Sequence, residues 1–143
     1  MIVVDDVLLF DVLAGIESPE FQLLAAEGIA STFSWYYRLA RALSTGRVDG
    51  ALSRRFAVLS DARRTHIRGL LDDLPDRIEL VHQRFLVPPM SALASVMLVN
   101  LLNAEAVATA LILDASIVVT TDSALLGRAA GVASIDVTII REP

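Results

Sequence analysis

Ile117-Val118-Val119-Thr120-Thr121-Asp122 is an apolar, β-branched run that ends in an acid, and Ile2-Val3-Val4-Asp5 at the start of the chain has the same form. Continuous apolar runs of this kind mark strands buried on both faces, as parallel strands are between two layers of helices. Three further short runs, at 29–32, 78–81 and 137–140, supply the remaining strand candidates. Helical signals lie between them. Ser18-Pro19-Glu20 combines a cap with proline at the first helical position, and the helix it opens runs toward Glu27 and stops at Gly28. Trp35, Leu39, Ala42 and Leu43 recur at helical spacing over 33–44, closed by Gly46. The polar stretch 47–76 reads as one or two amphipathic helices, the second opening at Ser60-Asp61 and ending before Pro75. Later helices are expected from Ser91, from Asn103 to Asp114, and from Ser123 to Ala130 with Gly131 as the C-cap. Strands alternating with helices predict an α/β fold of three layers, α/β/α, around a central, mostly parallel sheet. No repeat or linker interrupts it, so residues 1–143 read as one domain.

Composition narrows the chemistry. Apolar residues make up 55% of the 143 residues and charged ones 20%, which excludes intrinsic disorder. Without cysteine there is no disulfide, thiolate zinc site, iron–sulfur cluster or cysteine nucleophile. Two histidines, His66 and His82, are too few for a histidine-rich centre, so a bound metal would sit on carboxylates, which favours Mg²⁺ or Mn²⁺. A net charge of −5 argues against wrapping nucleic acid by bulk electrostatics. All twelve basic side chains are arginine, a bias expected of a GC-rich bacterial genome. The first residues carry no basic segment ahead of an apolar one, so the expected location is cytoplasmic. Residues 85–104 are free of charge and long enough to span a bilayer, but Pro88-Pro89, Ser91, Ser95, Asn100 and Asn103 interrupt them. They read as a buried helix entered through a Pro-Pro turn, with no membrane partner.

In an open parallel sheet, ligands bind beyond the carboxyl ends of the strands, where the strand order reverses. Asp5-Asp6 closes the first strand and Asp122 the fourth. If these strands are neighbours their carboxylates converge, and their repulsion must be offset by a cation or by protons.

Ile2-Val3-Val4-Asp5 before an apolar helix, and 117–122 directly after an alanine-rich helix, resemble the PIN-domain family over essentially the whole chain. Many bacterial members are toxins of toxin–antitoxin pairs of the VapC kind, so the resemblance implies an endoribonuclease cutting RNA with Mg²⁺ or Mn²⁺, with an antitoxin protein as partner; a homodimer is expected as well. Asp5 matches the first acid of the family and Asp122 the one after the later strand. The family's glutamate at the start of the third helix has no match in Ser34-Trp35-Tyr36-Tyr37-Arg38, where Tyr37 or Arg38 replaces it, and Val7 stands where a small polar residue is usual. Asn103 takes the place of the third acid, with Glu105 two residues on. Residues two apart on a helix point about 200° apart, so Asn103 and Glu105 cannot both face one metal. Two readings stay open: a metal-dependent ribonuclease on Asp5, Asp6 and Asp122, with Asp5 and Asp122 binding the metal and Glu105 assisting, or a catalytically inactive PIN-like protein that binds protein or RNA, with Arg38 as a substitute cation.

Other features divide in the same way. Phe33, Trp35, Tyr36 and Tyr37 would stack on bases at a nucleic-acid site, or fill a core or dimer interface. Arg54, Arg55, Arg63, Arg64 and Arg68, flanked by Asp61, Asp72 and Asp73, form either an RNA-backbone contact or a solvated or antitoxin-binding helix face. Neither histidine has a serine or acid spaced to complete a relay.

Overall fold

A computed structural model describes residues 1–47 and 50–141. The apolar runs form the strands β1 (Ile2–Val4), β2 (Ile29–Ser31), β3 (Ile78–Leu80), β4 (Ser116–Val119) and β5 (Val137–Ile139), joined in one sheet of order β3-β2-β1-β4-β5 in which every pairing is parallel. Parallel neighbours need crossovers, and helices supply them: α1 (Asp6–Ala14) and α2 (Pro19–Leu24), then α3 (Phe33–Thr45), α4 (Gly50–Ala57) and α5 (Asp61–Asp72), then α6 (Gln83–Ala94) and α7 (Leu101–Leu113), and finally α8 (Ala124–Val132). The expected three-layer α/β/α arrangement is therefore the one observed, with a wholly parallel sheet.

Two cores follow from the two faces. One joins Ile2, Val4 and Val118 of the sheet to α1, α3 and α5, with Phe10, Phe21, Leu39 and Ile67 almost wholly buried. The other joins Val3, Ile117 and Val119 to α7 and α8 through Val107, Ala110, Leu126 and Ala129. Alternate residues of Ile2–Val4 and of 117–119 feed opposite cores, as the two-residue period of a strand requires, so both runs must be apolar. α1 and α7 are buried along most of their lengths, which is why their sequences show no polar stripe.

Capping explains most boundaries. Ser18, Thr32, Ser60 and Ser123 each accept the backbone N–H three residues on, opening α2, α3, α5 and α8. Gly46 ends α3 at φ 68°, a left-handed position that costs glycine nothing. Five expectations are corrected. α2 ends at Leu24 and is capped by Ala25, short of the expected Glu27 and Gly28. α6 starts at Gln83 and carries Pro88 and Pro89 inside it, where a turn leading to a helix from Ser91 was expected. Each proline removes one N–H of the helical ladder, at the cost of leaving a carbonyl one turn back without its bond, and those carbonyls belong to the exposed Arg84 and Phe85. The same helix is not buried: Phe85 and Val87 are about 60% and 61% exposed. α7 is capped by Asn100, whose side chain accepts the Asn103 N–H, so Asn103 lies inside the first turn. α8 runs through Gly131 to Val132 and is capped by Ala133. Among the described residues no helix is long and apolar enough to cross a membrane.

Candidate functional site

The chain leaves β1 toward β2 and β3 but reaches β4 and β5 on the other side, so the strand order reverses between β1 and β4. This is the place where an α/β sheet opens a crevice, because consecutive crossovers diverge to opposite faces. Asp5 stands there, one residue past β1, and Thr120 stands opposite, one residue past β4, a juxtaposition set by the register Val4↔Val118. The Asp5 carboxylate does two jobs. Oδ1 caps α1 by accepting the Leu8 N–H at 2.9 Å, while Oδ2 accepts the Thr120 N–H at 2.7 Å and the Thr120 hydroxyl at 2.8 Å. It ties the ends of two neighbouring strands together. Burial pushes its pKa above the usual carboxylate value, partly countered by the bonds from Leu8 and Thr120 and by the charge of Arg55.

Asp6 opens α1 and is nearly as buried; its Oδ1 accepts the Val7 N–H at 3.1 Å. Its pKa is also raised, by burial first, with Arg38 opposing the rise and Asp5 adding to it. Arg38 does reach the rim from α3, but its partner is Asp6, with Nε 3.5 Å from Oδ2, where Asp5 or Asp122 was expected. Asp5, Asp6, Trp35, Arg38, Asn103 and Thr121 line a cavity of about 270 Å³. The Asn103 side chain is buried and makes no hydrogen bond among the described residues.

The other two acids lie elsewhere. Glu105 points away from Asn103, as their spacing on α7 demands, and lines a separate hollow of about 200 Å³ with Phe33, Gln83 and Met90. Its carboxylate accepts the Ser34 N–H at 3.3 Å and the Ser34 hydroxyl, sitting at the positive end of α3. Asp122 is three residues beyond β4, exposed, and does not line the Asp5 cavity. Among the described residues, no group of three His, Asp or Glu side chains converges as metal ligands. A pair of divalent ions needs several carboxylate oxygens with open lone pairs around one point. Here Asp5 is occupied by three donors, Asp6 faces a guanidinium, and Glu105 and Asp122 turn elsewhere. These residues do not fit a two-metal centre.

Three of the five clustered arginines make structural contacts, and Arg54 and Arg68 are exposed. Arg55 Nε lies 2.6 Å from Asp11 Oδ1, Arg63 donates to the Ala14 carbonyl, and Arg64 donates to the Phe56 carbonyl at 3.0 Å while its guanidinium sits 4.8 Å from the Phe56 ring centre. These contacts fasten α4 and α5 to α1 and to one another. The aromatic run divides: Trp35 is in the core, the Tyr36 hydroxyl donates to the Leu71 carbonyl, and Phe33 and Tyr37 stack on the surface with ring centres 6.2 Å apart. His82 caps α6 through Nδ1, which accepts the Arg84 N–H at 3.1 Å, and His66 is exposed. Sequence reasoning missed Thr120 as the partner of Asp5 and Ser34 as that of Glu105; only the threonine pair ending the strand hinted at either. Compared with models of known protein families and with curated proteins, the chain matches none.

Proposed function

We propose that this chain is a catalytically inactive, PIN-like binding module that works through protein contacts, its first partner being a second copy of itself. The observation that carries this reading is an exposed apolar surface beside the rim. Phe33 and Tyr37 on α3, Phe85 and Val87 on α6, and Leu101 at the start of α7 are all more than half exposed. Phe33 is common to the hollows on either side of it, and Val87 and Leu101 to the next pair, so the surface is continuous. Residues 85–104 contribute no charge to it. Exposed patches of this kind mark protein interfaces, whose cores are depleted in charge, and a two-fold pair of identical faces is the commonest way to cover one.

Sedimentation velocity across a concentration series tests this. A dimer is expected for the wild type and a monomer for Val87→Glu/Leu101→Glu, with the circular dichroism unchanged. A wild type that stays monomeric at high concentration removes the second copy as partner.

The position of Asp5 at the reversal of strand order favours a second reading, a VapC-like endoribonuclease using Asp5, Asp122 and Glu105 with Mg²⁺ or Mn²⁺, held in check by an antitoxin. It requires those acids to come together on the metal. RNA cleavage that needs Mn²⁺ and is lost in Asp5→Asn would establish it and displace the binding-module reading.

A further inference from the structure

We propose that Arg38 is the resident cation of the β1/β4 rim, and that it holds the Asp6 carboxylate against a divalent ion. The inference rests on the binding-module reading and explains how an acidic rim can persist without an ion.

Arg38 follows Trp35 by three residues on α3, so both lie on one face of the helix. Trp35 is 4% exposed and fixes that face against the core. The arginine is thereby directed to the mouth of the cavity, where its Nε lies 3.5 Å from Asp6 Oδ2. A guanidinium stays charged at every accessible pH, so this cation is permanent. A Mg²⁺ or Mn²⁺ ion on Asp6 would sit about 2.0–2.6 Å from the same oxygen, in direct competition with it. The geometry is lopsided: the Asp6 side chain is 10% accessible and that of Arg38 is 48% accessible, so the acid is fixed in the wall while the arginine reaches in from outside.

The cavity also keeps oxygen atoms that a hard cation could use. Asn103 is 6% exposed, lines the cavity and has no hydrogen-bond partner for its side-chain amide among the described residues. Asn103, Asp6 and Thr121 all line this cavity and carry oxygen atoms, a partial ligand set to which an acid at position 38 would add a carboxylate. Arg38→Glu replaces the competing cation by the absent carboxylate, and Arg38→Gln only removes the competitor.

Mn²⁺ titrations of the full chain, with free Mn²⁺ read by electron paramagnetic resonance and melting temperature read with and without Mn²⁺, test the proposal. Wild type is expected to show no saturable binding at millimolar Mn²⁺ and no metal-dependent shift in melting. Arg38→Glu is expected to bind Mn²⁺ at least tenfold more tightly than wild type and to melt higher in its presence, with Asp6→Asn in that background abolishing both. Arg38→Gln is expected to show a smaller gain and carries the test if Arg38→Glu does not fold. If the folded Arg38 variants are as indifferent to Mn²⁺ as wild type, Arg38 is not what excludes the ion and the proposal falls while the binding-module reading stands. Saturable Mn²⁺ binding by wild type overturns that reading itself.

Discussion

Asp5→Ala removes the side chain that, among the described residues, joins the ends of β1 and β4, and its cost can be worked from its three bonds. Loss of the α1 cap is worth about 1 kcal/mol. The Thr120 N–H and hydroxyl lose their acceptor; because Thr120 is only half-buried, water recovers part of that loss, leaving about 1 kcal/mol for each. Release of a carboxylate from a dry rim returns some of the total, so the net is about 2–3 kcal/mol. At about 2.1 cal/mol/K per residue over 143 residues, the unfolding entropy is near 0.3 kcal/mol/K, and the melting temperature should fall by about 7–10 °C. Asp5→Asn retains one acceptor oxygen but turns an amide N–H₂ toward other donors, and should lose about 1–2 kcal/mol. Thr120→Val removes one partner of the pair, so a cycle of Asp5→Ala and Thr120→Val should give a coupling of about 1 kcal/mol. Urea unfolding followed by far-ultraviolet circular dichroism measures all three. An Asp5→Ala loss below about 0.5 kcal/mol, at unchanged denaturant dependence, would refute the strand-tying role, since that is the range of featureless surface sites.

The pH dependence should run opposite to that of a protein held by depressed carboxylates. Asp5, Asp6 and Asp11 all have pKa values raised above 3.8, chiefly by burial, so the folded chain binds more protons than the unfolded one. Their contribution is fully present below about 3.8 and is lost as pH rises through the folded values; urea midpoints should fall from about pH 4 toward neutrality, and midpoints that rise over that interval contradict the assignment. Arg55→Ala should cost about 3–5 kcal/mol at pH 7, because it strips the 2.6 Å partner from an Asp11 side chain only 10% accessible. The deficit should shrink at low pH as Asp11 takes up a proton, and a cost below about 1 kcal/mol at pH 7 would show that the pair is replaceable by water.

The two central strands were legible because Ile2–Val4 and 117–119 are short, continuous apolar runs, and that pattern leaves a buried parallel strand as the economical reading. The capped helix starts at Ser18 and Ser60 were legible for a local reason too, since a cap contacts a backbone group three residues away. α6 was misread from the same kind of signal: a proline pair normally marks a turn, yet the neighbouring helices and the exposed side of α6 tolerate both rings inside it. Periodicity reports which face of a helix is apolar, not whether that face is covered, so the exposure of Phe85 and Val87 could not be foreseen.

By itself the sequence determined the α/β class, the placement of Asp5 at a strand's carboxyl end, and the divergence of Asn103 and Glu105, because strand and helix periods are properties of the local chain. Only the tertiary structure decided which charges meet. Asp5 with Thr120, Asp11 with Arg55, Glu105 with Ser34 and Asp6 with Arg38 are separated by 115, 44, 71 and 32 residues, respectively. Such pairings depend on strand order and helix packing angle, and an ionised side chain accepts whichever donor those bring within a few ångströms, so composition and spacing place an acid at the rim without fixing whether it faces a metal, a hydroxyl or an arginine.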